Sequence, residues 1–165
     1  MEFKQVNQKY VDDAVELALA EYNNECEKCG QLIKDNYKEK LKQLVTELFK
    51  SKYGVVAIED RELIGYISFW EIRNGFFGNC NGVFSPLGGS AFAGKDRNKL
   101  ASLLVEKVLQ RLVDEEITSI AICRYAHDEE TERSLVFNGF GIRCSDASAC
   151  CIMYVISLKK RVYLV

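Results

Sequence analysis

The fold of this chain is decided by residues 79–125, NCNGVFSPLGGSAFAGKDRNKLASLLVEKVLQRLVDEEITSIAICRY, in which two β-rich segments flank one amphipathic helix. The β-rich segments cover about 79–87 and 117–125, and the apolar run at 120–122 is typical of a fully buried strand. Between them, apolar residues recur every three or four positions after Asp96, which predicts a helix with one buried face. A strand, a helix and a strand in this order predict a right-handed crossover between two parallel strands.

Upstream of this stretch, the sequence predicts one strand, two helices and a hairpin. Residues 23–30, between the helices, are predicted as a loop, and Gly88 and Gly89 begin another loop that leads to Gly94. Because a hairpin pairs its strands antiparallel, the sheet is predicted to be mixed. The predicted elements are a strand at 3–6, helices at 10–22 and 35–50, and hairpin strands at 54–58 and 63–72.

Downstream, Asp128 precedes a short segment with acidic residues in its first turn, which predicts an N-capped helix over 129–137. Gly139 is placed to end that helix. Residues 141–144 and 150–157 are predicted to close the chain as β structure. Together with the upstream elements, this order predicts a domain of the α/β (α+β) class.

Length and composition are those of one ordinary domain, predicted over residues 1–157, with a tail or the start of a linker at 158–165. A net charge of −2 argues against a general nucleic-acid binder, which usually carries a basic face. No apolar run approaches the roughly 20 residues that span a membrane, and no secretory signal follows Met1. We therefore expect a cytoplasmic protein with no nucleic-acid and no membrane partner.

Seven cysteines are scattered along the chain, which suits free thiols in a reducing compartment. Cys26 and Cys29 form a CxxC motif, a pattern that zinc sites and redox sites share. A zinc site needs a second pair of ligands, and the adjacent Cys150 and Cys151 do not form such a pair. We therefore predict two thiols at a helix end or in a loop and no metal, while redox or metal chemistry of this pair stays the alternative.

Three segments match, in their order and spacing, a pattern of one enzyme superfamily. They are LIGYI at 63–67, GVFSP at 82–86 and VFNGF at 136–140. Over about residues 3–156 the chain therefore resembles the GNAT superfamily of N-acetyltransferases. This resemblance implies a mixed, mostly antiparallel central sheet with helices on both faces.

A second set of segments resembles one branch of that superfamily more closely. It consists of FSPLGG at 84–89, YAHD at 125–128 and GFGIR at 139–143. This branch forms the amino-terminal half of longer clostridial-type proteins. The resemblance implies a second GNAT-like domain as a partner, and a homodimer is the other expectation.

The GNAT resemblance also implies acetyl-CoA as the acyl donor. Its pyrophosphate would bind backbone N–H groups where the helix after the fourth strand begins, and its pantetheine arm would lie between the diverging fourth and fifth strands. The corresponding loop, AFAGKDRN at 91–98, has one glycine where the family has two small residues. The alternative to phosphate contact is that its charged residues are solvated at the start of a helix, with Asp96 capping that helix. The residues expected to contact the cofactor are Phe84, Leu87, Ala93, Gly94, Lys95, Arg97 and Asn98.

Catalysis needs a proton donor for the thiolate that leaves and a base for the amine that attacks. The family often places a tyrosine four residues before the terminal glycine as the donor, and here that position is Leu135. Tyr125 is the alternative donor, although aromatic packing at a strand end also explains it. His127 and Glu71 are the candidate bases, each otherwise an ordinary polar residue of a loop or strand end. Cys123, on a predicted strand, could approach the thioester, and a buried structural thiol is the other expectation for it.

The sequence therefore favours an N-acetyltransferase that moves an acetyl group from acetyl-CoA to a primary amine by direct attack. The amine would belong to a small molecule or a peptide. Two other hypotheses stay open: a catalytically silent GNAT-like domain that binds acyl-CoA or a protein partner, and an interaction module without a cofactor. Binding of acetyl-CoA separates the first two hypotheses from the third, and turnover separates the first from the second.

Overall fold

The computed structural model describes residues 1–28, 32, 37–70, 73–75 and 79–143 of the chain. These residues form seven strands, four α-helices and a short 3-10 helix that directly precedes the first α-helix. In chain order the elements are β1 (Glu2–Gln5), the 3-10 helix (Gln8–Tyr10), α1 (Val11–Lys28), α2 (Tyr37–Leu48), β2 (Gly54–Glu59), β3 (Glu62–Ser68), β4 (Arg73–Asn74), β5 (Asn81–Ser85), β6 (Ser90–Phe92), α3 (Arg97–Val113), β7 (Ser119–Ile122) and α4 (Glu129–Phe137).

Two aspartates fix where the last two helices begin. Asp96 Oδ1 accepts a hydrogen bond from the Lys99 N–H at 3.3 Å, and Asp128 Oδ1 accepts one from the Thr131 N–H at 3.2 Å. Each carboxylate thus satisfies a backbone donor that has no partner within its own helix. Gly139 follows α4 with a φ of +86°, a conformation that glycine adopts without strain. The predicted starts of both helices and the predicted end of α4 are confirmed.

The strands form two sheets that share no strand. Four strands pair antiparallel in the order β1-β2-β3-β6, and three pair in the order β4-β5-β7. β5 and β7 run parallel, with Gly82 opposite Ser119 and Ser85 opposite Ile122, and the chain between them contains β6 and then α3. The predicted crossover between parallel strands and the mixed, mostly antiparallel pairing are therefore confirmed.

The chain passes from one sheet to the other in a tight loop between β5 and β6. The Gly89 N–H donates to the Pro86 carbonyl at 2.8 Å, and a Cβ on Gly89 would lie 2.5 Å from Ser85 Oγ. Gly88 has a φ of +81°, and its carbonyl accepts a hydrogen bond from the buried Tyr66 hydroxyl at 2.6 Å. A side chain is therefore disfavoured at both positions: at Gly88 by the positive φ, and at Gly89 by the lack of space for a Cβ.

This loop corrects one part of the sequence prediction. The strand predicted over 79–87 ends at Ser85, and the loop predicted to lead from Gly88 to Gly94 contains β6. β6 is too short to carry a periodic signal. It forms because it pairs with β3, about twenty-five residues earlier, and such non-local pairing leaves little trace in the sequence.

Helices pack on both faces of the β1-β2-β3-β6 sheet, as predicted. α1 and α2 bury one hydrophobic cluster against Val56 and Tyr66 of the sheet. α3 buries a second cluster against Val55 and Ile67, which point to the opposite face. The contact of α3 with β3 is close, because a Cβ on Gly65 would come within 3.1 Å of two leucine side chains of that helix.

The first long helix extends further than the sequence predicted. α1 continues to Lys28, through residues predicted as a loop, and it buries Glu21, Tyr22, Glu25 and Cys26 in its last two turns. Two of these buried residues are carboxylic acids, which a pattern of apolar residues does not count as a buried face. The prediction of a loop at 23–30 is therefore wrong over the part that the structure describes.

The end of the chain is described only in part. Residues 141–143 are not in a strand, so the β structure predicted to begin there is not found in that segment. Residue 144, the strand predicted at 150–157 and the tail at 158–165 lie outside the described residues. Among the helices within the described ranges, none is both long and apolar enough to cross a lipid bilayer.

Candidate functional site

The two sheets diverge beside β6. The Ala93 N–H donates to the Ile64 carbonyl of β3 at 2.7 Å. Because backbone groups of successive strand residues point to opposite edges, Ser90 and Phe92 direct theirs away from β3. In the described part of the chain no strand pairs with that edge. The space between this edge of β6 and the turn after β7, residues 123–128, is called the wedge below.

A buried ionic cluster lies at the wedge, formed by Glu21, Glu25, Arg97, His127 and Asp128. Arg97 Nη1 lies 2.6 Å from Glu21 Oε1, and Arg97 Nη2 lies 2.9 Å from Asp128 Oδ2. Nη1 also donates to the Phe92 carbonyl at 2.6 Å, on the free edge of β6. The side chains of Glu21, Arg97 and Asp128 are 6%, 19% and 8% exposed, so water screens these ion pairs weakly.

His127 is held by one carboxylate. Glu25 Oε2 accepts a hydrogen bond from the His127 backbone N–H at 3.0 Å and lies 2.7 Å from the ring Nδ1. An ionised carboxylate can only accept, so Nδ1 carries a hydrogen and the other ring nitrogen of a neutral imidazole is left with its lone pair. That nitrogen, Nε2, lies 3.3 Å from Glu21 Oε2 but is not aligned for a hydrogen bond with any described residue.

Three separate segments of the chain bring the cluster together. Glu21 and Glu25 are four residues apart on α1, so both lie on the face that packs toward the sheet. Arg97 is the first residue of α3, and His127 and Asp128 lie in the turn that leads into α4. Three carboxyl groups thus face one guanidinium and one imidazole, and the arrangement is rich in negative charge.

The ion pairs of the cluster shift the pKa of their members. Burial alone would lower the pKa of the Arg97 guanidinium, but its hydrogen bonds to Glu21 and Asp128 outweigh burial and raise that pKa. Burial alone would raise the pKa of the Asp128 carboxyl, but the hydrogen bonds from Arg97 and Thr131 lower it below its ordinary value of 3.8. Both shifts favour the charged forms, which is what a paired buried ion requires.

Tyr125 lies beside the cluster. Its ring stacks on His127 with the centroids 6.1 Å apart and meets the Tyr22 ring edge-on at 6.3 Å. Its hydroxyl is buried and has no hydrogen-bond partner among the described residues. Burial raises the pKa of this phenol, so the hydroxyl keeps its proton at neutral pH. The structure therefore brings two of the three predicted catalytic residues together, while the third, Glu71, lies outside the described residues.

The residues predicted to contact a cofactor are only partly free to do so. Gly94 has a φ of +89° with open space around it, and Lys95 is exposed. The backbone carbonyl and the side-chain oxygen of Asn98 both accept from the Ser134 hydroxyl. Arg97 is turned inward onto the ionic cluster. The backbone at the start of α3 therefore remains as the predicted anion site, and Lys95 is an exposed cation beside it.

The other predicted positions lie on β5, in the tight loop after it and just after β6. The Phe84 ring lies 5.3 Å from the Trp70 ring, between centroids, and Leu87 in the tight loop is 41% exposed. The Ala93 N–H already donates to the Ile64 carbonyl of β3, so it is not available to a cofactor. Leu135 is buried in the core, so no proton donor stands at the position that the family often gives to tyrosine.

Two residues of the cluster were missed by sequence reasoning. Glu21 and Glu25 were not singled out because charged residues near a helix end are usually solvated. A signal was present, since both fall on the same helical face as Ala14 and Ala18 and are spaced four apart. Cys26 lies in the same turn with a buried free thiol, and its CxxC partner Cys29 is outside the described residues. The described residues hold no group of histidine, cysteine and acidic side chains suited to a metal ion.

Comparison with solved structures shows which fold this is. The chain superposes on a predicted acetyltransferase with acetyl-CoA from Clostridium acetobutylicum with a TM-score of 0.65 and 11% identity, covering 92% of this chain and 97% of that one. An aminoglycoside N-acetyltransferase in complex with CoA gives a TM-score of 0.63 at 14% identity, covering 91% and 95%. An aminoglycoside antibiotic 6'-N-acetyltransferase from Acinetobacter haemolyticus gives 0.59 at 18%, covering 91% and 97%.

No protein-family model matches the chain, and a search of the curated proteins found no match. The structural similarity extends over nine-tenths of the chain, and the chain has the fold of the GNAT acetyltransferases. At such low identities the similarity establishes the fold and not the reaction.

We predict that Asp128→Asn destabilises the protein far more than Asp96→Asn. Asparagine caps a helix about as well as aspartate, so both variants keep their cap, but only the first removes the charge that pairs with Arg97. We expect Asp128→Asn to lower the free energy of unfolding by about 2 kcal/mol at pH 7, against less than about 0.5 kcal/mol for Asp96→Asn. Urea unfolding followed by circular dichroism measures both values.

The same difference is expected to depend on pH. The pKa of Asp128 is lowered by folding, so its stabilising effect is present above the ordinary value of 3.8 and is lost as the pH falls through the folded value. The gap between the wild type and Asp128→Asn should therefore begin to narrow below about pH 4 and close as the pH falls through the folded pKa. A gap that stays constant down to pH 3 would contradict an origin in the pair with Arg97.

We also predict that the neutral imidazole of His127 carries its hydrogen on Nδ1. His127 is the only histidine of the chain, so the nitrogen chemical shifts of the imidazole report this residue alone. In the wild type at a pH where the ring is neutral, Nδ1 should have the shift of a protonated nitrogen. Glu25→Gln should shift the population toward the other tautomer, because an amide is a weaker acceptor. Glu27→Gln, at an exposed position of the same helix, should change nothing.

Proposed function

We propose that this protein is an N-acetyltransferase that uses acetyl-CoA to acetylate a primary amine. The observation that carries the proposal is the position of His127 and Tyr125 at the wedge of a GNAT fold, with a carboxylate orienting the imidazole. Two of the superposed structures hold acetyl-CoA or CoA. The acyl donor of this chain would enter where its own two sheets diverge.

Two features of the wedge suit the donor. The edge of β6 that faces away from β3 carries the backbone groups of Ser90 and Phe92, which suit the amides of a pantetheine arm, although Arg97 holds the Phe92 carbonyl here. The start of α3 offers backbone N–H groups and the positive end of a helix dipole to the pyrophosphate. Lys95 is the exposed cation next to that position, and Gly94 leaves space for a phosphate to approach the backbone.

The reaction would join the amine nitrogen to the acetyl carbonyl carbon and break the carbon–sulfur bond of the thioester. His127 takes the proton of the amine at Nε2, because Nδ1 is committed to Glu25. The imidazolium so formed would lie between Glu25 and Glu21, and both carboxylates stabilise its charge. Tyr125 gives the proton of its hydroxyl to the departing thiolate, which leaves as free CoA. The phenolate then takes a proton from solvent and the imidazolium releases one to solvent, and burial favours the neutral phenol.

The charge of the cluster favours a cationic acceptor. Three carboxyl groups against one guanidinium and one imidazole attract a protonated amine toward the base that must deprotonate it. Two superposed proteins are aminoglycoside acetyltransferases by their names, and aminoglycosides carry several amines. We propose an alkyl amine of a small molecule or peptide as the acceptor class for this chain.

Binding of acetyl-CoA is the first test of the proposed function. At about 100 times its dissociation constant, a ligand adds roughly 2.7 kcal/mol of stability, which raises the Tm of a domain of this size by about 5–10 °C. We expect this shift with acetyl-CoA and CoA and none with ATP, followed by turnover on a panel of amines. If millimolar acetyl-CoA leaves the Tm unchanged, the transferase proposal fails for this chain, and a domain of GNAT fold that binds a partner remains.

We predict that Tyr125→Phe lowers kcat by about 10² to 10⁴ while leaving stability unchanged or slightly raised. The substitution removes a buried hydroxyl that has no hydrogen-bond partner among the described residues, so folding loses no described contact. Tyr66→Phe is the matched control, because its hydroxyl donates to the Gly88 carbonyl. That variant should lose stability and keep its kcat. A fully active Tyr125→Phe enzyme would rule out Tyr125 as the proton donor.

A further inference from the structure

The Arg97 side chain connects the two sides of the wedge. One nitrogen, Nη1, donates to the Phe92 carbonyl on the free edge of β6, at 2.6 Å. The other, Nη2, reaches Asp128 in the turn after β7 at 2.9 Å. Glu21 of α1 accepts from Nη1 at 2.6 Å and fixes the guanidinium from a third direction. A single planar group thus lies across the space between the diverging strands.

We propose that Arg97 is a strap that closes the wedge and must leave the edge of β6 before a pantetheine arm can bind there. This inference rests on the proposed function, since it concerns access to the donor site. The strap makes the donor site of this chain autoinhibited, with Glu21 and Asp128 as the residues that hold it shut.

The hydrogen bonds on the edge of β6 explain why the strap and a ligand exclude each other. The Phe92 carbonyl points away from β3, and Arg97 occupies it. An amide N–H of a ligand that pairs with this edge needs the same carbonyl and the same space. A charged donor makes a stronger hydrogen bond than a neutral amide, so the ligand does not displace Arg97 by that contact alone.

The partners of Arg97 set how firmly the strap is held. Both carboxylates are more than nine-tenths buried, so opening the strap leaves two buried charges without their cation. The other oxygen of Glu21 lies 3.3 Å from His127 Nε2, and this contact can replace Arg97 only when the imidazole is protonated. Asp128 keeps the Thr131 N–H at the start of α4. Opening the strap therefore costs free energy, but the remaining hydrogen bond to Asp128 offsets part of that cost. Both states can then be populated, as a gate requires.

The test compares ligands that contain the pantetheine arm with one that lacks it. Arg97→Met alone leaves two buried carboxylates unpaired and threatens folding, so the main variant is Arg97→Met with Glu21→Gln and Asp128→Asn. The single variants Glu21→Gln and Asp128→Asn each remove one tether and leave Arg97 in place. Dissociation constants for CoA and for adenosine 3',5'-diphosphate are measured by calorimetry, after urea unfolding has shown that each variant is folded.

We expect the triple variant to bind CoA about tenfold more tightly than the wild type, and each single variant to bind it severalfold more tightly. This follows if the wedge of the wild type is open about a tenth of the time, because apparent affinity falls with the fraction of competent molecules. Adenosine 3',5'-diphosphate has no pantetheine arm, so its affinity should not change. Lys95→Met should weaken both ligands, since it removes a cation near the phosphates without touching the strap.

The possible failures are distinguishable. If the wild type binds CoA and the triple variant binds it equally or more weakly, the strap is wrong and the proposed function stands. If both ligands bind the triple variant more tightly by the same factor, the cause is net charge and the strap is again wrong. If neither the wild type nor any variant binds CoA, the proposed function fails, and the strap fails with it.

Discussion

Burial of the Arg97 guanidinium is the interaction on which the arrangement of this domain depends. A buried cation is costly unless several acceptors surround it, and here the acceptors come from α1, β6 and the turn before α4. Those segments are far apart in sequence, so satisfying one guanidinium fixes their relative positions. The same guanidinium joins the Phe92 carbonyl of β6 to Asp128 in the turn after β7, across the wedge. Stability, the position of His127 and access to the wedge are therefore properties of one cluster.

Local signals explain most of what the sequence could predict about the fold. Asp128 and Gly139 act on residues close to them in sequence, so capping chemistry was enough to predict where α4 begins and ends. The order of a strand, the amphipathic helix α3 and a second strand was enough to predict that the two strands are parallel. Non-local signals explain the errors. β6 exists because it pairs with β3. α1 continues past Tyr22 because Glu21 meets Arg97 and Glu25 meets His127, both from distant segments. Neither cause can be seen within a window of neighbouring residues.

The candidate site was predictable to a similar degree. His127 and Tyr125 could be chosen because they follow a predicted strand, and the structure places them side by side. That strand, β7, was expected to be fully buried, but each of its residues is only partly buried. Their surroundings could not be foreseen, since the carboxylate that orients the imidazole lies about a hundred residues earlier. Arg97 was expected to meet phosphate, yet its guanidinium is directed inward, because buried carboxylates compete for any cation at the start of α3. Glu71 and the strand at 150–157 stay predictions.

The two hydrophobic clusters on opposite faces of the sheet have a consequence for how this domain tolerates mutation. The clusters are separated by β2 and β3, so a cavity made under α2 and one made under α3 have no shared neighbours, and their costs should add. Around the edge of β6, by contrast, the ionic cluster ties α1 to α3. Sequence change can therefore accumulate independently in the two halves of the core, while positions at that edge can change only in concert.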